Sequence, residues 1–147
     1  MDHDALKSLH TALIDAREGY EKATAETEDS TLAALFGDMI GLHTSAHNDI
    51  HERLLGVGEK PDESGSFMGT VHRTVIGVRS AITGIDMSTL DSFADGEERI
   101  AEKYSDAINE ERDTRLSEML RMHESALRDM IGRMKQMARA AEAAEKA

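Results

Sequence analysis

The sequence has no cysteine and no tryptophan, a single proline, and only two tyrosines and three phenylalanines. Without cysteine, disulfides, thiolate metal sites and cysteine nucleophiles are excluded. With one proline, and with Ala, Glu, Leu and Met plentiful, little interrupts long helices or favours a sheet, so an all-α protein is expected. Positive charge is also scarce, with 17 Lys and Arg against 29 Asp and Glu and a formal net charge of −12. No basic face is available to grip phosphates, so a nucleic-acid partner is not expected. No apolar run approaches the roughly 20 residues of a membrane span, so no membrane partner is expected either. Met1-Asp2-His3-Asp4 lacks the basic start and apolar run of a secretion signal, and a cytoplasmic location is the expectation. P-loops, GxG-type phosphate motifs and nucleophile–base pairs at recognisable spacing are missing, which leaves ordinary hydrolase chemistry without support.

The chain does contain amphipathic helices. Its 147 residues suit one compact domain, expected over 1–137, followed by an Ala/Glu/Lys-rich tail from Ala138 to Ala147 that frays or projects into solvent. Five helical segments follow from apolar periodicity. The first, about Asp4 to Glu26, aligns Leu6, Leu9, Leu13, Arg17, Tyr20 and Thr24. After a break at Glu28-Asp29-Ser30, where Asp29 or Ser30 can cap, a second from about Thr31 to Leu55 aligns Leu32, Leu35, Phe36, Met39, His43, Ala46, Ile50 and Leu54. Gly56, Gly58 and Pro61 end it. A shorter segment, about Phe67 to Thr83, turns Phe67, Val71, Val75, Val78 and Ile82 inward and stops at Gly84. Ser88, with Asp91 three residues on, caps a fourth helix to about Glu111 with Leu90, Phe93, Ala94, Glu97, Ala101, Tyr104 and Ile108 inward. The last helix, after Asp113-Thr114, shows Leu116, Leu120, His123, Leu127, Met130, Met134 and Met137 on one face.

A helix of about 17 residues covers roughly 25 Å, about a bundle length, so the third segment can carry the chain from one end of the bundle to the other. The two hairpins would then form a ferritin-like four-helix bundle with an additional short crossover helix. Polar residues interrupt four of the apolar stripes: Arg17 and Tyr20, His43, Glu97 and Tyr104, and His123. Buried charge and imidazole must be paired or ligated, so these groups should answer one another. Counting from the turns brings them to one level in mid-bundle.

The run Pro61-Asp62-Glu63-Ser64-Gly65-Ser66, continuing through Gly69 to His72-Arg73, resembles the signature of a bacterial family of ferritin-like four-helix-bundle proteins of unknown function. Glu18-Gly19-Tyr20, Thr83-Gly84, Gly96-Glu97-Glu98 and Tyr104 also fit that family, and the similarity spans roughly residues 6 to 112. The resemblance implies a ferritin-like fold and no established activity.

Several arrangements of the polar residues are open. A di-iron carboxylate site would draw on Glu18 or Glu97 with His43 and His123, but it needs Glu-x-x-His pairs, and Ile40 and Leu120 stand where those glutamates belong. A mononuclear site of His43, Glu97 and His123 would suit Fe(II), Mn(II) or Zn(II), with Fe or Mn the expected cofactor. In the competing arrangement Arg17 pairs with Glu97, the histidines bond to Tyr20 or Tyr104, and this structural polar layer only fixes helix register. His43, His47 and His51, spaced i, i+4, i+8, form a second candidate metal stack or else a solvated edge. Glu63 with His72 or Arg73 can clamp the crossover to the bundle, or the same loop can hold an anion. Met119, Met130, Met134 and Met137 lie near the last helix's inward stripe and Met122 lies off it. The overhang beyond Met130 could pack against a second subunit, giving a homo-oligomer. Two functional classes follow: a metal-binding ferritin-like domain, and a non-catalytic structural or interaction bundle.

Overall fold

The computed structural model of the chain describes residues 3–61 and 85–146. Over these residues the protein is all-α, with four helices: α1 (Asp4–Glu26), α2 (Ser30–Gly56), α3 (Leu90–Glu110) and α4 (Thr114–Lys146). A 3-10 turn, Met87–Thr89, leads into α3.

Short polar side chains set the helix starts by satisfying backbone N–H groups that have no intrahelical acceptor. The Asp29 carboxylate accepts from the amides of Thr31 at 2.8 Å and Leu32 at 3.2 Å to begin α2. Asp113 does the same for Arg115 and Leu116 at the start of α4. The α2 helix ends where Gly58, at φ 83°, turns the chain so that the Glu59 amide returns to the Leu54 carbonyl at 2.9 Å. Ser88 is not the cap of α3 that its spacing to Asp91 predicts. Asp86 takes the Ser88 amide at 2.9 Å and draws Ser88 into the 3-10 turn, so α3 starts at Leu90 behind Thr89.

Contacts between the ends fix the directions of the helices. Thr27, in the α1–α2 turn, forms an isolated parallel bridge with Ile85, and its hydroxyl donates to the Ile85 carbonyl at 2.8 Å. At the other end Arg53 of α2 meets Asp113 of the α3–α4 turn at 2.9 Å, and the Ala5 amide of α1 donates to Glu110 of α3. α1 and α2 are therefore antiparallel, whereas α2 and α3 run the same way. Pro61 and Ile85 accordingly lie at opposite ends of the bundle. The predicted crossover helix, 67–83, and the clamp of Glu63, His72 and Arg73 fall outside the described residues.

α1 packs mainly on α2 and α3 mainly on α4, with α1 against α3 and α2 against α4 completing the bundle. The core is a single cluster built from the predicted stripes, and every stripe position of α2 is buried. Each large apolar side chain buried this way contributes roughly 1.5–3 kcal/mol. Three stripe predictions need correction. Arg17 and Thr24 stay half-buried on α1, because the helix presents a wider face centred nearer His10, Ile14 and Tyr20. Ile108 is likewise half-buried, and Ala107 takes the inward place. On α4, Ile131 and Met134 are buried while Met119, Met130 and Met137 pack at the core's edge; Met122 is exposed. α4 continues through residues 139–146 as helix, mostly exposed. No helix among the described residues is long and apolar enough to cross a membrane.

Candidate functional site

Three of the predicted polar residues meet in mid-bundle. The Tyr20 hydroxyl on α1 donates to Glu97 Oε1 on α3 at 2.7 Å, and His43 Nε2 on α2 contacts the same oxygen at 2.8 Å. All three side chains are buried. Phe36 and Phe93 pack on the Tyr20 ring at centroid distances of 5.6 and 5.2 Å, holding the phenol against the carboxylate in surroundings that exclude water. Burial, reinforced by the Glu97 charge and the hydrogen bond to it, pushes the Tyr20 phenol well above its ordinary value. Tyr20 is therefore a neutral donor. Glu97 Oε2 and His43 Nδ1 are buried with no hydrogen-bond partner.

The expected Arg17–Glu97 pair does not form. Arg17 reaches Glu21 one turn along its own helix at 3.9 Å, because its position at the stripe edge points it toward solvent while Tyr20 occupies the inward direction. Nor does His123 join His43 and Glu97. Its Nε2 contacts Asp49 Oδ2 of α2 at 2.9 Å, and Asp49 lies six residues, about 9 Å, farther along α2 than His43. The single polar layer is thus two: one across α1, α2 and α3, the other between α2 and α4. Tyr104 is buried, and its phenol is pushed up first by burial and then by the negative charges of Glu97, Glu124 and Asp49. Glu18, two residues before Tyr20 and so about 200° around α1 from it, is half-buried and does not share the face that meets Glu97.

A second cluster starts one turn along α2 from His43. His47 and His51 stack at a centroid distance of 5.5 Å, as their i, i+4 spacing requires. His10 of α1 inserts against both, 4.4 Å from His47 and 5.2 Å from His51 between ring centroids. His10 Nε2 and His51 Nδ1 are 3.0 Å apart, a hydrogen-bond distance, and His47 Nδ1 lies 3.2 Å from Asn48 Oδ1. One ligating nitrogen from each of His10, His47 and His51 falls within 4.8 Å of the other two. Tetrahedral nitrogen ligands about 2.1 Å from a zinc ion sit about 3.4 Å from one another, so small χ rotations would close the set on one ion. Among the described residues this is the one group of three or more His, Asp or Glu side chains with that geometry. His10 and His47 are buried and His51 is half-buried, so the cluster opens outward along His51.

The α2 periodicity gave two members of this trio, but His10 was missed. A signal for it exists: His10 is 18 residues before Glu28 in the hairpin turn and His47 is 19 after it, so antiparallel helices bring them level. His10 also lies four residues after Leu6 and three before Leu13, on the flank of the stripe. Asp49, the partner of His123, was missed because a half-exposed carboxylate leaves no mark on an apolar pattern.

Comparison with known proteins gives one family. The model of the family described as "Domain of unknown function (DUF2383)" matches residues 2–110, which include His10, Tyr20, His43, His47, His51 and Glu97 but not His123. No curated protein matches the chain.

Proposed function

We propose, from the premise that the chain belongs to the family of the domain of unknown function DUF2383, that it is a helical bundle binding a divalent transition metal through His10, His47 and His51. The observation that carries this reading is the convergence of three imidazoles from two helices with one ligating nitrogen each inside 4.8 Å. Three neutral nitrogens suit Zn(II), Cu(II), Ni(II) or Fe(II). Mn(II), which prefers oxygen donors, fits this trio less well than it fits the carboxylate-containing set of His43, Glu97 and His123. Three protein ligands on a tetrahedral ion leave one position for water or a small ligand, the pattern of a reactive rather than a purely structural site. Asn48 supports the role of His47: an Nδ1 proton donated to its side-chain oxygen leaves Nε2 as the nitrogen with the lone pair.

A ferritin-like topology belongs to the same reading, supported by the parallel α2 and α3, as do a cytoplasmic location and a second subunit against the exposed end of α4. The competing role, a bundle whose buried polar groups only set register, is favoured for the mid-bundle group by its fully engaged Glu97 Oε1, which accepts from one neutral phenol and meets one imidazole. Isothermal titration with Zn(II) separates the two roles. One equivalent should bind to the wild type, and His10→Ala and His47→Ala should each weaken it by tenfold or more; titrations that superimpose would leave the scaffold role alone.

A further inference from the structure

Glu97 and the histidine trio are linked through α2. His43, which holds Glu97, and His47, which belongs to the trio, are i and i+4 and so lie one above the other about 6 Å apart. The Glu97 carboxylate is buried, its Oε1 is shared by Tyr20 and His43, and its Oε2 has no hydrogen-bond partner. Tyr20 stays protonated beside it. On His43, Nε2 faces the carboxylate and the buried Nδ1 has no hydrogen-bond partner. Among the described residues no Lys or Arg side chain contacts Glu97, so its carboxylate is the acidic group of this buried set.

The trio has the opposite deficiency. Three neutral imidazoles supply lone pairs to a cation without cancelling any of its charge, and His10 and His47 are buried. Asp49, two residues from His47, is 44% exposed and already paired with His123 on the α4 side, so solvent screens it. A charge in the interior acts on a neighbour through a far lower effective dielectric than one at the surface.

We infer that Glu97 is a specificity-determining residue for the metal site, its buried carboxylate acting across His43 to favour doubly charged over singly charged ions at His10, His47 and His51. This rests on the metal-binding reading. Glu97 touches no metal; it acts through the field, and Tyr20 and His43 hold it in place. Because Coulomb energy is linear in the charge of the ion, removing the carboxylate must weaken a divalent ion by the square of the factor lost by a monovalent one.

The test is a pair of titrations, Zn(II) and Ag(I), on wild type, Glu97→Gln and His47→Ala. With Glu97→Gln, Ag(I) binding should weaken about tenfold and Zn(II) binding about a hundredfold, so that the Zn(II):Ag(I) preference falls about tenfold. A structural role, felt through displacement of the ligands, would weaken both ions alike; equal factors, or no weakening, overturn the inference. Should Glu97→Gln fail to fold, the combined Tyr20→Phe, His43→Leu, Glu97→Met variant replaces the whole group with apolar side chains of similar size, a change that buried ionic groups commonly tolerate, and the same loss of preference is expected. Glu97→Asp, which keeps the charge, should retain the wild-type preference. The His47→Ala arm distinguishes the two failures: if it binds Zn(II) like the wild type, the metal-binding reading itself falls.

Discussion

Two polar clusters sit one turn apart on α2, and they solve the problem of burial in different ways. At the His43 level a fixed anion is held by a neutral phenol and an imidazole, with the Tyr20, Phe36 and Phe93 rings packed around it. At the His47 level three imidazoles stack on each other with no acidic member, and His51 lies half in solvent. The difference teaches that burial by itself does not mark function. A carboxylate engaged by fixed donors is not itself free to ligate, whereas lone pairs converging on one point suit an ion. The first cluster should therefore dominate folding stability and act on an ion only through its charge, whereas the second should supply the ligands.

The largest effect expected is on stability. His43→Ala removes one of two groups holding a buried carboxylate and should cost about 3–5 kcal/mol in urea denaturation of the metal-free protein. His47→Ala, in the same assay, should cost under about 2 kcal/mol. Equal losses would erase the distinction between the clusters. The next effect belongs to the trio: Zn(II) at a hundred times the wild-type dissociation constant should stabilise the wild type by about 2.7 kcal/mol and His47→Ala by about 1.4 kcal/mol or less. A zinc-dependent rise in the His47→Ala melting temperature equal to that of the wild type would place the ion elsewhere.

Tyr20→Phe sharpens the first cluster alone. It removes a hydrogen bond to a charged, buried acceptor and should cost about 2 kcal/mol while leaving zinc-induced stabilisation unchanged. Stability within error of the wild type would show that Tyr20 is not needed to hold Glu97. The smallest effect lies outside both clusters. Hydrogen bonds from the Leu116 and Arg115 amides, with the Arg53 and Arg115 charges, hold the exposed Asp113 carboxyl below its ordinary value. A depressed folded-state value means that its contribution is present above the ordinary carboxylate range and is lost as pH falls through the folded value. Asp113→Asn should therefore flatten the acid limb of the stability–pH profile slightly and leave neutral pH little changed. Parallel acid limbs would contradict this.

How much of the fold and site was legible follows from the same physics. The α1 and α2 boundaries were readable because Asp29, Gly56 and Gly58 are strong local signals, and the apolar stripe of α2 is continuous from Leu32 to Leu54. The meeting of Tyr20, His43 and Glu97 in mid-bundle was readable as a convergence, though not as these particular contacts, because each interrupts an apolar stripe and none can be buried alone. The partner of Glu97 was misjudged: a formal charge balance suggests Arg17, whereas a rotation of a few tens of degrees around α1 brings Tyr20 inward and Arg17 out. His123 was placed at the wrong height because its partner, Asp49, sits at an edge where composition carries no signal. His10 was hidden for another reason. A histidine flanking an apolar stripe gains meaning only when the facing helix puts two more beside it, and that pairing is a property of the hairpin rather than of either helix.

X-ray absorption at the zinc edge of the loaded protein tests the central claim most directly. Three imidazole nitrogens at about 2.0–2.1 Å, with one further light ligand, are predicted for an ion held by His10, His47 and His51, and the imidazole signal should be lost in His47→Ala. A first shell of oxygens, or an imidazole signal indifferent to His47, would contradict the account.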